Sequence, residues 1–74
     1  MESDPLLLQK LGKNIRRERV ARKLTQEKLS ELSGMDITNL QRIEAGKYNT
    51  KILTLIRLKE AMDVDWDQLI PDLK

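Results

Sequence analysis

The run Leu24-Thr25-Gln26-Glu27-Lys28-Leu29-Ser30-Glu31-Leu32-Ser33-Gly34-Met35-Asp36-Ile37-Thr38-Asn39-Leu40-Gln41-Arg42-Ile43-Glu44-Ala45-Gly46 decides the fold. Thr25 can cap a helix whose first turn holds Glu27 near the positive end of the helix dipole, with Leu29 and Leu32 as its inward residues. Gly34 ends that helix, because it tolerates the left-handed conformation in which helices often terminate. Asp36 then caps a short helix, Ile37 to Ala45, with Leu40 and Ile43 inward, and Gly46 stops it in the same way.

Outward from this run the chain stays helical. Asp4-Pro5 is a favourable start, since the aspartate accepts a first-turn amide and proline at the first helical position gives up no needed donor. Leu8, Leu11 and Ile15 recur at spacings of three and four, which predicts an amphipathic helix reaching about Lys23. Residues 47–50 read as a polar loop. Ile52, Leu55, Ile56 and Met62 form the stripe of a further helix, with Leu58 and Ala61 beside it. Asp65 starts a last short helix, Trp66 to Ile70, stopped by Pro71. The expected architecture is all-α, one five-helix domain over residues 1–74 with its core at about 8–70 and no strands or repeats.

Composition narrows the function. The 74 residues suffice for one small core. Without cysteine or histidine there is no disulfide, no thiolate metal site and neither the commonest general base nor the commonest metal ligand, which argues against most enzymes. Asp63, Asp65 and Asp67 do not make a calcium loop, which would place glycine at Gln68 and glutamate at Lys74. No metal, cofactor or small-molecule effector is expected. The longest apolar run, Leu6 to Leu8, cannot span a bilayer, so a protein of the cytoplasm with no membrane partner is expected. The net charge is only +2, but Lys10, Lys13, Arg16, Arg17, Arg19, Arg22, Lys23 and Lys28 crowd the first half, while five acids from Glu60 onward face only Lys74. That asymmetry suits a polyanion on one side, although long helices of small proteins are often simply charged.

Arg19 and Glu44 each fall four residues beyond an apolar position, Ile15 and Leu40, and so put opposite charges on inward stripes. They read either as a partly buried ion pair or as side chains that snorkel outward. Two short helices joined by a tight glycine turn, over residues 25–46, have the geometry of a helix-turn-helix, in which the second helix enters the DNA major groove. The pattern Leu-Thr-Gln-x-x-Leu from Leu24 to Leu29, then Ile43-Glu44-Ala45-Gly46-Lys47, resembles the lambda-repressor-like, or Cro/cI/Xre, family. Asn14-Ile15-Arg16-Arg17 and Met62-Asp63-Val64-Asp65-Trp66 extend the resemblance to about residues 11–70. Asp63 departs from it where the family usually has glycine, and Ile37 where a polar base reader is common.

The resemblance implies a stand-alone bacterial or phage regulator, similar to phage repressors and restriction-modification controllers, acting as a homodimer on two-fold symmetric duplex DNA. On matching positions it implies base contacts from Ile37, Thr38, Gln41 and Arg42, and phosphate contacts from Gln26, Asn39, Lys47, Tyr48, Asn49, Arg16 and Lys13. It also pairs Arg19 with Glu44 and places the dimer interface near Trp66, Leu69 and Ile70. Chemically, arginine can hold guanine bidentately, glutamine can read adenine, and an apolar or threonine side chain can pack on the thymine methyl. Trp66 otherwise reads as a core residue. The competing reading is a protein-interaction module, such as an antitoxin, that keeps the fold for a protein partner.

Overall fold

The first three helices each begin at a side chain that accepts an amide hydrogen bond. In the computed structural model, which describes residues 4–71, Asp4 Oδ1 accepts from Leu6 N at 3.0 Å and opens α1, Pro5–Ala21. Thr25 Oγ1 accepts from Lys28 N at 3.0 Å to open α2, Gln26–Ser33, and Asp36 Oδ1 from Thr38 N at 2.7 Å to open α3, Ile37–Glu44. Then follow α4, Ile52–Met62, and α5, Trp66–Leu69, with no strand among the described residues. Helix 1 ends two residues before the expected Lys23, and the acidic end counts Asp72, which with Lys74 lies outside the described residues.

The core is Ile15, Leu29, Leu40, Ile43, Leu55, Leu58, Met62, Val64 and Leu69. Each such side chain removed from water contributes on the order of 1.5–3 kcal/mol before the opposing chain entropy. α1 packs on α3 and α5, and α2 packs on α3 and α4. Three expectations fail here. Leu32 is 51% exposed, because the inward partner of Leu29 is Ser33, one turn on. Ser33 can be buried since its Oγ donates to Leu29 O at 2.7 Å, and its small volume lets neighbouring helices close on α2. Ile52 is 65% exposed: at the first position of α4 it projects beyond the core, and the stripe is Leu55, Leu58 and Met62. Trp66 is 36% exposed rather than core, with the Lys59 ammonium 5.7 Å from its ring centre, a cation–π distance.

The docking of α5 rests on a polar cluster along α1. Asn14 Nδ2 donates to Leu69 O at 2.9 Å and Arg17 Nη2 to Gln68 O at 2.8 Å. Buried Glu18 accepts from Arg17 Nε at 3.0 Å, Arg22 Nη1 at 2.8 Å and Gln68 Nε2 at 3.2 Å. Arg22 Nε also donates to Met62 O at 2.6 Å, closing the end of α4. The hydrogen bonds from Arg17 and then Arg22 hold the Glu18 carboxyl below the ordinary 4.5 of a glutamate, against the opposing effect of burial. A depressed folded-state value means stability that is present above pH 4.5 and lost as pH falls below it. We expect Tm to fall as pH drops below that value and Glu18→Gln to flatten part of that fall. An unchanged slope in the variant would remove Glu18 from the acid limb.

Asp63 ends α4 with φ 54° and ψ 53°, a left-handed conformation that a β-carbon disfavours. Its backbone N–H closes on Glu60 O at 3.2 Å, so the cap geometry is kept although glycine is absent. Asp63→Gly is expected to stabilise the fold by about 0.5–1 kcal/mol, read as a Tm rise of a few degrees. A lower Tm would show that the aspartate side chain contributes more than its strain costs.

Candidate nucleic-acid interface

The pose of α3 is set from below by α1. Gly12 lies where a β-carbon would meet the carbonyl oxygen of Ile43 and come within 2.7 Å of that of Glu44. Just past the helix, Gly46 has φ 74°, and a β-carbon there would lie 2.8 Å from Gln9 Cα. The last turn of α3 thus seats backbone to backbone on α1. Arg19 locks the seat: its Nε donates to Glu44 Oε2 at 2.7 Å, its Nη2 to Glu44 Oε1 at 3.0 Å, and its Nη1 to Leu24 O at 2.8 Å. The Arg19 and Glu44 side chains retain 12% and 5% of their exposure, so this is a buried, bidentate pair and neither chain snorkels outward.

With Leu40 and Ile43 buried, α3 leaves Thr38, Gln41 and Arg42 exposed and Ile37 and Asn39 partly so. Gln26, at the start of α2, is half-buried beside them: its Nε2 donates to Glu44 Oε1 at 3.1 Å, and its Oε1 accepts a long 3.5 Å bond from Gln41 Nε2. Arg16, Arg19, Gln26, Gln41, Glu44 and Ala45 line one groove along α3. On another side, Asn39 and Tyr48 share a depression with Asp36, Thr50, Lys51 and Arg57. Lys13, Lys47 and Asn49 are exposed, while Tyr48 packs partly on the core.

Two assignments change, one made from charge and one implied by the resemblance. Arg17, Arg19 and Arg22, counted in the basic first half, are engaged within the fold, leaving Lys10, Lys13, Arg16, Lys23 and Lys28 exposed. Leu69, expected at a dimer surface, is fully buried in the core, and of that trio only Trp66 and Ile70, the latter 40% exposed, reach the surface. Lys51 and Arg57 went unseen in the sequence. A lysine at the head of α4, where no side chain caps the helix, was the available signal for an anion-facing end. Nothing local shows that Arg57 turns toward α3. Among the described residues, Lys13, Arg16, Arg42, Lys47, Lys51 and Arg57 make no ion pair, so their charge faces solvent.

A profile described as helix-turn-helix matches residues 15–69. Among solved structures, the restriction-modification controller protein C.AhdI from Aeromonas hydrophila is similar with a TM-score of 0.82 and 33% identity, over 85% of this chain and 96% of that one. Two point variants of the restriction-modification controller protein C.Esp1396I give TM-scores of 0.79 and 0.80 at 31% and 29% identity. They cover 90% and 92% of this chain and 82% and 93% of their own. No curated protein matches the sequence at a significant level.

Proposed function

The chain belongs to the Cro/cI-like helix-turn-helix family of DNA-binding transcription regulators, and from that premise we propose that it reads a specific duplex operator with α3 in the major groove, as a homodimer. The observation that carries the reading is the outward face of α3. Thr38, Gln41 and Arg42 are exposed on a helix whose far side is buried, and cations without ion-pair partners stand in the depressions beside it. Arg42 and Gln41 supply hydrogen bonds to base edges, and Thr38 and Ile37 supply contact with base methyls. Lys47, Asn49, Lys13, Arg16, Asn39, Tyr48 and Gln26 hold the phosphates, to which the structure adds Lys51 and Arg57 as candidates. The similarity to controller proteins supports a role as controller of a restriction-modification system.

The homodimer reading is supported by apolar surface on α4 and α5. Ile52, Ile56 and Lys59 fall on one helical face, Lys59 lies over the Trp66 ring, and Ile70 is exposed one turn further on. Such a surface paired about a two-fold axis presents two copies of α3 to successive major grooves and requires a symmetric operator.

Selection from a random duplex pool, followed by titration across salt, tests the reading. A two-fold symmetric winner bound about a thousandfold tighter than random duplex, with a steep salt slope, is the expected result. An unenriched pool would overturn it in favour of a protein-interaction module. Arg42→Ala is expected to cost roughly 1–3 kcal/mol on the operator and to relax preference at one position. Lys47→Ala should weaken all duplexes alike and flatten the salt slope. Identical behaviour of the two variants on specific and random DNA would undo the division of roles.

A further inference from the structure

We propose that Ile37 reads the C5-methyl group of a pyrimidine, so that one base position in each half-site is recognised as thymine or 5-methylcytosine against their unmethylated counterparts. The inference rests on α3 lying in the major groove and deepens that reading by assigning the one side chain of the set that has no hydrogen-bonding group. Ile37 is the first residue of α3, the end of a recognition helix that meets base edges. It is half-buried, yet it is not among the apolar side chains packed against the core, which include its neighbour Met35. The part of its side chain that the domain leaves uncovered is therefore open to a ligand beside α3. It shares a face with Gln41, one turn on, so it accompanies a polar reader into the groove.

The chemistry follows from what isoleucine lacks. It neither donates nor accepts, so it cannot distinguish the carbonyl of thymine from the amino group of cytosine, and pressed against an unmethylated cytosine it removes water from that amino group without replacing the hydrogen bond. Against a C5-methyl it gains apolar contact instead. A β-branched side chain in a helix is confined largely to one rotamer, so little freedom is lost in making that contact. Thymine and 5-methylcytosine present the same methyl in the same place in the groove, and Ile37 responds to both.

The test starts from the selected operator. Each thymine is replaced singly by uracil, which deletes only the methyl, and each cytosine by 5-methylcytosine, which adds only the methyl; affinity is measured for the wild type, Ile37→Val and Ile37→Ala. One position per half-site is expected to change affinity by about fourfold per methyl in the wild type, the worth of one buried carbon. The uracil series reports thymine as the source and the 5-methylcytosine series reports a methylated site. Ile37→Val should keep most of the response and Ile37→Ala should lose it, with circular dichroism confirming that both variants remain helical. A specific operator on which wild type and Ile37→Ala respond alike to the methyl at every position overturns the inference and leaves DNA recognition standing. An unenriched pool overturns both.

Discussion

Gly12→Ala should destabilise this protein by at least about 2 kcal/mol, although alanine is the better helix former by about 1 kcal/mol. The two effects oppose each other, and the structure decides between them. Gly12 is buried in the middle of α1, and the added carbon would lie against the Ile43 carbonyl and 2.7 Å from that of Glu44. Both are backbone groups at the end of α3, with no flexible side-chain tip that could swing aside. Relief requires α1 and α3 to separate, which opens the contact among Ile15, Leu40 and Ile43 in the core. For a domain of this size the expected loss of Tm is roughly 10 °C or more. Gly34→Ala is the control: with φ 70° but nothing within 4 Å of the new carbon, it carries only conformational strain, about 1 kcal/mol. The control should therefore stay well above Gly12→Ala in Tm. A Gly12→Ala variant as stable as the wild type would show that α1 and α3 do not approach so closely. DNA affinity measured well below its Tm should also fall, because the displaced helix is the one proposed to enter the groove.

Arg19→Ala is expected to be the most damaging single removal of a charge, by about 3–5 kcal/mol, the range for breaking a buried pair. It leaves the Glu44 carboxylate, 5% exposed, with only Gln26 as partner, and strips the Leu24 carbonyl of the guanidinium that holds the α1–α2 turn. The pair itself need not be strongly stabilising, since desolvation offsets much of its attraction; the damage comes from the orphaned partner. Accordingly Arg19→Met combined with Glu44→Leu should unfold closer to the wild type than Arg19→Ala does. The same double variant removes the acceptor that orients Gln26 beside Gln41, so its operator affinity should drop even where its fold is recovered. Denaturant unfolding and operator titration on the same samples separate the two effects. Loss of less than about 1 kcal/mol in Arg19→Ala would place the pair with ordinary surface ion pairs.

Much of the candidate interface is legible in the sequence. With Leu40 and Ile43 inward, helical spacing leaves Thr38, Gln41 and Arg42 outward, and the structure places all three there. Arg19 and Glu44 betrayed themselves as charges on apolar stripes. Glu18 carried the same signal, three residues after Ile15, but it was hidden in a run of basic residues that reads as solvated. Gly12 was visible too, as a lone glycine inside a helical pattern; such a residue marks either a tolerated defect or a close approach, and periodicity does not say which.

What the sequence alone determined is that the first three helices start at Asp4, Thr25 and Asp36, that α2 stops at Gly34, and that α3 has a polar outer face. Those outcomes depend on interactions within about one turn: Asp4, Thr25 and Asp36 cap their own helices, and Leu40 and Ile43 share a face wherever the helix lies. Tertiary structure decided which apolar residues are left outside and which charges are spoken for. Leu32 loses its inward place to Ser33 because of how closely α3 and α4 pack on α2. Leu69 is buried while Trp66 is left at the surface because of where α5 meets α1. Arg17 and Asn14 donate to carbonyls 51 and 55 residues further along the chain. A pattern of spacings contains the direction of a side chain from its own helix axis but not the position of the neighbour it meets, and burial and charge pairing are properties of that neighbour.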